Sequence, residues 1–254
     1  MYDDVNSNEL PFPEPIDTIL GHVLSPETGR FVAEHADFLL RVDFNDVSFH
    51  PAPEVRSSEG YYSYSGKRHS IWLDRESADF EGLLMHETVR GLLIEQGYPR
   101  TICPPVPHSC PYFPYLGFLL SSAIIDPIID RRLTQGGFRV YDRKVLIDRI
   151  ATRVGMDARQ KNSEEYEFLT RKWILLTVLL SLDSTFKGDD ADSLNELIHD
   201  KFPVSSKLAD RLAASIKEEG FTDPYSALIA MMRLRDALKL QDMIPIVDKG
   251  GATW

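Results

Sequence analysis

Only two cysteines occur in the chain, Cys103 and Cys110, so no framework of disulfides holds it together and stability must come from a packed core. Long apolar runs are missing as well. The most hydrophobic stretch, from Trp173 to Leu182, is interrupted by Thr177 and Ser181 and bracketed by Arg171-Lys172 and Asp183, whereas a membrane-spanning helix needs about 20 apolar residues. There is no surplus of basic charge. With 28 Lys and Arg against 39 Asp and Glu, the net charge is −11, which argues against nucleic acid and against anionic membrane surfaces, since both are held by clustered cations. The opening Met1-Tyr2-Asp3-Asp4 is acidic and no apolar segment follows it, so the expected location is the cytoplasm. No P-loop, no G-x-G-x-x-G and no G-x-S-x-G elbow is present, which gives no reason to invoke a nucleotide or a serine hydrolase. Internal repeats and low-complexity tracts are absent too.

What is present suits an ordinary α+β protein. At 254 residues, 43% of them hydrophobic, the chain can bury a real core. Ser25-Pro26-Glu27 has the cap, proline and acid of a helix start, and Phe31, Val32, His35, Phe38 and Leu39 follow at helical spacing. Short strands are expected at Asp46–His50, Tyr61–Ser65 and His69–Asp74, with Tyr61, Tyr62 and Tyr64 packing on a sheet face. A helix is expected from about Ala78 to Gln96, capped by Ser77 or Asp79 and ended by Gly97 and Pro99. Residues 99–114 carry six prolines and read as a stiff, extended connection. A long apolar segment, Tyr115–Leu133, runs to Gly136-Gly137. Beyond Tyr141 the pattern is helical, with helices expected at Leu146–Val154, Glu165–Leu182, Leu194–Lys201, Lys207–Glu219 and Pro224–Leu240, and with Lys187–Asp192 as a solvated loop. These patterns divide the chain into an α+β part over 1–138 and a helical part over 139–254, packed together or continuous.

The chemistry concentrates on the fifth of these elements, the helix that contains His86-Glu87-Thr88-Val89-Arg90. Residues four apart share a helix face. In an H-E-x-x-H helix that spacing lets two histidines hold one zinc ion while the glutamate acts as general base toward the metal-bound water. The segment resembles the active-site helix of zincin metallopeptidases, with arginine in place of the second histidine. The order of helix, two strands, third strand and His-Glu helix is similar to the minimal zincin lobe and covers about residues 24–135. The resemblance implies that His69–Asp74 is the edge strand on which extended substrate pairs. It also implies, after the gluzincin branch, a second helix over Ser121–Leu133 supplying an acidic ligand. Asp126 fits that role best because it interrupts an apolar run, with Asp130 as the secondary candidate. Asp126-Pro127 reads equally as a cap and first-turn pair.

Arg90 decides what such a site can do. A guanidinium stays protonated and has no lone pair for a metal, and its charge repels a dication. Between Glu87 and Asp126 it would instead neutralise both carboxylates through forked hydrogen bonds. The favoured expectation is a degenerate metallopeptidase-like protein, without cofactor, that binds a peptide or protein in the cleft. The alternative is a working zinc-dependent hydrolase with Glu87 as base, His86 and Asp126 as ligands, and a third ligand drawn from His108, Cys103 or Cys110. Those last three also form a Cys-x4-His-x-Cys cluster of their own, with the looser spacing of ordinary thiols.

Overall fold

The computed structural model describes residues 18–46, 60–65, 68–102, 113–159, 165–248 and 250–254. It is a mixed α+β molecule in which helices predominate. A two-residue hairpin, β1 (Thr18–Ile19) and β2 (His22–Val23), leads into helix α1 (Pro26–Glu34), capped by the Ser25 side chain with proline at its first turn. A one-turn helix, α2 (Ala36–Leu39), follows.

Three strands then form a sheet: β3 (Val42–Asp46), β4 (Gly60–Ser65) and β5 (Arg68–Leu73). Their order is β3-β5-β4, with β5 parallel to β3 and antiparallel to β4. Apart from Asp46, strand β3 lies on residues that the sequence leaves without a strand, because Asp43, Asn45 and Asp46 are poor strand formers; of the strand expected at Asp46–His50, residues 47–50 lie outside the described residues. One expectation is corrected. The His69–Asp74 segment is the central strand and not an edge. Its alternation of buried and exposed residues looks the same in either place when one sheet face is covered, because sideways pairing uses only the backbone.

Helix α3 (Phe80–Glu95) starts at the Asp79 cap and is buried along nearly its whole circumference, as befits a helix covered on opposite faces. The sheet covers one face, and helix α4 (Phe113–Gln135) covers another. Close approach to the sheet depends on Gly91: a Cβ there would lie 2.4 Å from Phe38 Cζ and 2.8 Å from Tyr62 Cε2. Between α3 and α4 a short strand, β6 (Arg100–Thr101), pairs with β7 (Ile246–Val247) near the carboxyl terminus, a link that nothing in the local pattern announces. Helix α4 continues through Pro127. That proline forgoes the amide bond to the Ala123 carbonyl, and packing against α3 and the helices beyond keeps the helix going.

The remaining helices are α5 (Arg143–Ala158), α6 (Tyr166–Leu182), α7 (Asp189–Lys201), α8 (Pro203–Glu219) and α9 (Pro224–Ala237). The expected Lys187–Asp192 loop is corrected in its second half: α7 opens on Asp189, Asp190 and Asp192, acids that the positive end of a helix dipole favours. Trp173 at the centre of α6 is fully buried, and Lys172 beside it makes a 2.5 Å ion pair with Asp157 of α5. One hydrophobic cluster includes Val89 and Ile124 together with Trp173 and Met231, so α3 and α4 are backed by the helical part. Among the described residues no helix is long and apolar enough to cross a membrane.

The rings that meet Gly91 cannot swing away, because Tyr62 is hydrogen-bonded to His69 and Phe38 is buried edge-on against the same imidazole. Gly91→Ala is therefore expected to lower stability by about 1–3 kcal/mol, the range for overpacking a filled core. Equilibrium urea denaturation measures this, and a neutral result would show that the helix-to-sheet distance is not set there.

Candidate functional site

His86 and Glu87 stand one turn before Arg90 on α3, and Asp126 and Asp130 stand one turn apart on α4, so the two facing helices bring all five together. Arg90 Nε donates to Glu87 Oε2 at 2.8 Å, and Arg90 Nη2 donates to Asp126 Oδ1 at 2.6 Å. The same Nη2 lies 3.0 Å from His86 Nε2. Because a guanidinium only donates, the imidazole accepts at Nε2 and carries its proton on Nδ1. That nitrogen faces Asp130, whose Oδ1 is 3.4 Å away and whose side chain is wholly buried. Gly60, at the start of β4, lets the strand pass close above: a Cβ there would meet the Trp72 carbonyl at 3.1 Å and Glu87 Cγ at 3.7 Å.

Burial alone would push the Asp126 carboxyl up, but the Arg90 charge beside it holds it well below the usual carboxylate range. Arg90 is desolvated too, yet Asp126 and Glu87 keep it firmly protonated. The Asp126 side chain is therefore a partner of Arg90 and not the cap of a helix starting at Pro127.

His86 Nε2 and Asp126 Oδ1 are 3.6 Å apart, close to the roughly 3.4 Å that separates two ligands at about 2.0–2.1 Å from a tetrahedral zinc ion. Arg90 Nη2 fills the space between them. The donor set as it stands does not fit a metal: one corner is a cation without a lone pair. Among the described residues no three His, Cys, Asp or Glu side chains are arranged to hold an ion. His108, Cys103 and Cys110 lie outside the described residues.

Of the cluster, Arg90 reaches the wall of a cleft of about 580 Å³. Strand β4 contributes Tyr62, Ser63 and Tyr64, α3 contributes Arg90 and Leu93, and α4 contributes Phe118 and Ser121, with Arg100 of β6 on a further side. Tyr62 and Tyr64, expected on a sheet face, line the cleft, and Arg100 carries no local signal that marks it. Tyr62 is in fact held from behind. Glu95 accepts from His69 Nε2 at 3.2 Å, and the Tyr62 hydroxyl meets His69 Nδ1 at 2.6 Å. Burial raises the Tyr62 phenol above its ordinary value, although Arg100 opposes the shift, so Tyr62 reaches the cleft as a neutral hydroxyl. A tyrosine seven residues before a histidine across a tight strand pair was the available signal, and it is a weak one.

Arg90→Ala leaves Glu87 and Asp126 without their shared cation and is expected to lose about 3–5 kcal/mol, the usual cost of breaking a buried pair. The pH dependence has a definite sign. The wild-type Asp126 contribution is present throughout the pH range above ordinary carboxylate titration and is lost only as pH falls below it. In the variant, protonation relieves buried charge, so the stability gap should narrow as pH drops from 7 toward about 4. Parallel denaturation curves test this, and a gap that stays constant or widens in acid would contradict the arrangement. A second expectation is that Arg90→His creates zinc affinity measurable by titration calorimetry, since His86 Nε2 and Asp126 Oδ1 already have ligand spacing. A folded variant that takes up no zinc would show that Asp126 is not poised to ligate.

No protein-family model, no curated protein and no solved structure matches this chain, so what the cluster can do follows from its own geometry and chemistry.

Proposed function

We propose that this chain is a catalytically degenerate, zincin-like protein that binds an extended peptide or protein segment in the cleft beside α3. The carrying observation is the position of Arg90 Nη2, 3.0 Å from His86 Nε2 and 2.6 Å from Asp126 Oδ1. In that position a fixed cation does the electrostatic work of an ion. It balances the carboxylates and ties the two helices together, but it has no exchangeable water and no open coordination position. Activation of water by a metal needs both. Glu87, the residue at the general-base position, is committed to Arg90 Nε.

Binding is supported by the sheet order. Strand β5 is enclosed between β3 and β4, so β4 is the strand that borders the cleft. Among the described residues no strand pairs with its outer side. An exposed edge offers main-chain donors and acceptors to an added strand, while neighbouring pockets select its side chains. In this proposal β4 takes the substrate-pairing role that the resemblance had placed on His69–Asp74.

Screening fluorescein-labelled ten-residue peptides by anisotropy is expected to find ligands whose affinity falls at least tenfold when alternate peptide nitrogens are methylated, which removes pairing donors and leaves side chains in place. Equal binding by methylated peptides would rule out strand addition. Zinc- or cobalt-dependent cleavage of bound peptides by the wild-type chain, abolished by Glu87→Gln, would overturn the degenerate reading and restore the active hydrolase.

A further inference from the structure

Among the described residues the cleft lining contains two arginines, Arg90 and Arg100, and no carboxylate, in a protein whose net charge is −11. The Arg90 charge is already balanced by Glu87 and Asp126. Arg100 differs. Among the described residues it makes no ion pair; its Nη1 donates to the Tyr64 carbonyl at 3.2 Å and its guanidinium lies 5.0 Å from the centre of the Tyr64 ring. Its Nε is buried and has no hydrogen-bond acceptor. A buried, charged donor without an acceptor is a place where an anion is favoured, because the cation has lost water and gained no counter-charge.

Arg100 also marks an end. Main-chain pairing along the free side of β4 must stop at Tyr64, whose carbonyl is already taken by Arg100 Nη1. A strand added beside β4 would therefore have its terminus there, and a guanidinium at that point attracts a carboxylate and repels an ammonium. Position is secured from the far side: Arg100 belongs to β6, which pairs with β7, and the adjacent Thr101 hydroxyl donates to the Gly117 carbonyl of α4 at 2.9 Å. Next to Arg100 the walls are apolar, with Phe118 and Ile102 at least one-third exposed and Leu93 and Ile125 deeper.

From this geometry we infer that the cleft recognises the free carboxyl terminus of a peptide with an apolar last residue, its α-carboxylate on Arg100 and its chain running parallel to β4. The inference rests on the proposed peptide-binding role of the cleft and names which end and which side chain it takes. Capture of a terminal carboxylate by a fixed cation and edge amides is a general mode of peptide recognition, and here the pairing edge and the cation occur side by side.

The test uses the full chain and two random heptapeptide libraries, one with free carboxyl termini and one amidated, both ending in Leu or Phe. The free-acid library is expected to be retained at least tenfold better by the wild type, with the preference lost in Arg100→Gln and partly kept in Arg100→Lys. Equal retention of acid and amide would overturn the carboxylate assignment while leaving peptide binding intact. Failure of both libraries to bind would overturn the peptide-binding role itself and this inference with it. Decanoate that displaces a free-acid peptide as well as the unlabelled peptide does would show that a bare carboxylate suffices, and would overturn the requirement for a peptide. Should Arg100→Gln fail to fold, the acid-to-amide ratio on the wild type still decides.

Discussion

A single guanidinium ties α3 to α4. Arg90 donates through Nε to a carboxylate on its own helix and through Nη2 to a carboxylate on the neighbouring one, while an imidazole accepts from the same nitrogen. Each of these groups has surrendered water to be there, so each depends on the others for its hydrogen bonds and charge balance. The planar fork of arginine satisfies partners in two directions at once; a lysine ammonium, as a point charge on a flexible stem, would leave one direction short. The same constraint fixes the imidazole tautomer and turns Nδ1 toward Asp130.

The cleft follows from this clamp. With α3 and α4 held together, the sheet lies on the opposite face of α3 at a distance that Gly91 permits and that Phe38 and Tyr62 fill. Strand β4 is brought beside α3, and β6, anchored by β7 from the far end of the chain, closes the remaining side. The resulting groove pairs an available strand edge with a cation that meets no carboxylate among the described residues. A metal-dependent cleft and this one differ in what holds them. An ion can leave and carries water; a guanidinium is covalently part of the helix and carries none. That difference turns a plausible catalytic frame into the proposed binding frame.

Much of this was legible from residues alone. Asp79 and Ser25 as caps, Pro26 and Pro224 in first turns, and the helical spacing of His86 and Arg90 are local properties, decided within one turn of chain, and the helices lie where those signals put them. Less legible were features that depend on partners distant in sequence. Strand β3 escapes the local pattern because its acids and asparagine mask its apolar residues, and β5 reads as an edge because alternation reports which face is buried and says nothing about lateral neighbours. Asp126 shows the limit within one residue: a carboxylate before proline reads as a cap, and only a continuous α4 delivers it to Arg90.

The sequence by itself determined the residue types, the helical phase that places His86 and Arg90 on one face, and the charge that prevents Arg90 from acting as a metal ligand, because all three are properties of a short segment. Tertiary structure alone decided that Asp126 and Asp130 face that segment, that β4 and not β5 borders the cleft, and that Arg100 stands at the end of the strand edge with no counter-ion among the described residues. Those facts depend on lateral pairing and helix packing between segments tens to more than a hundred residues apart, which one-dimensional patterns do not encode because pairing and packing partners are chosen in space.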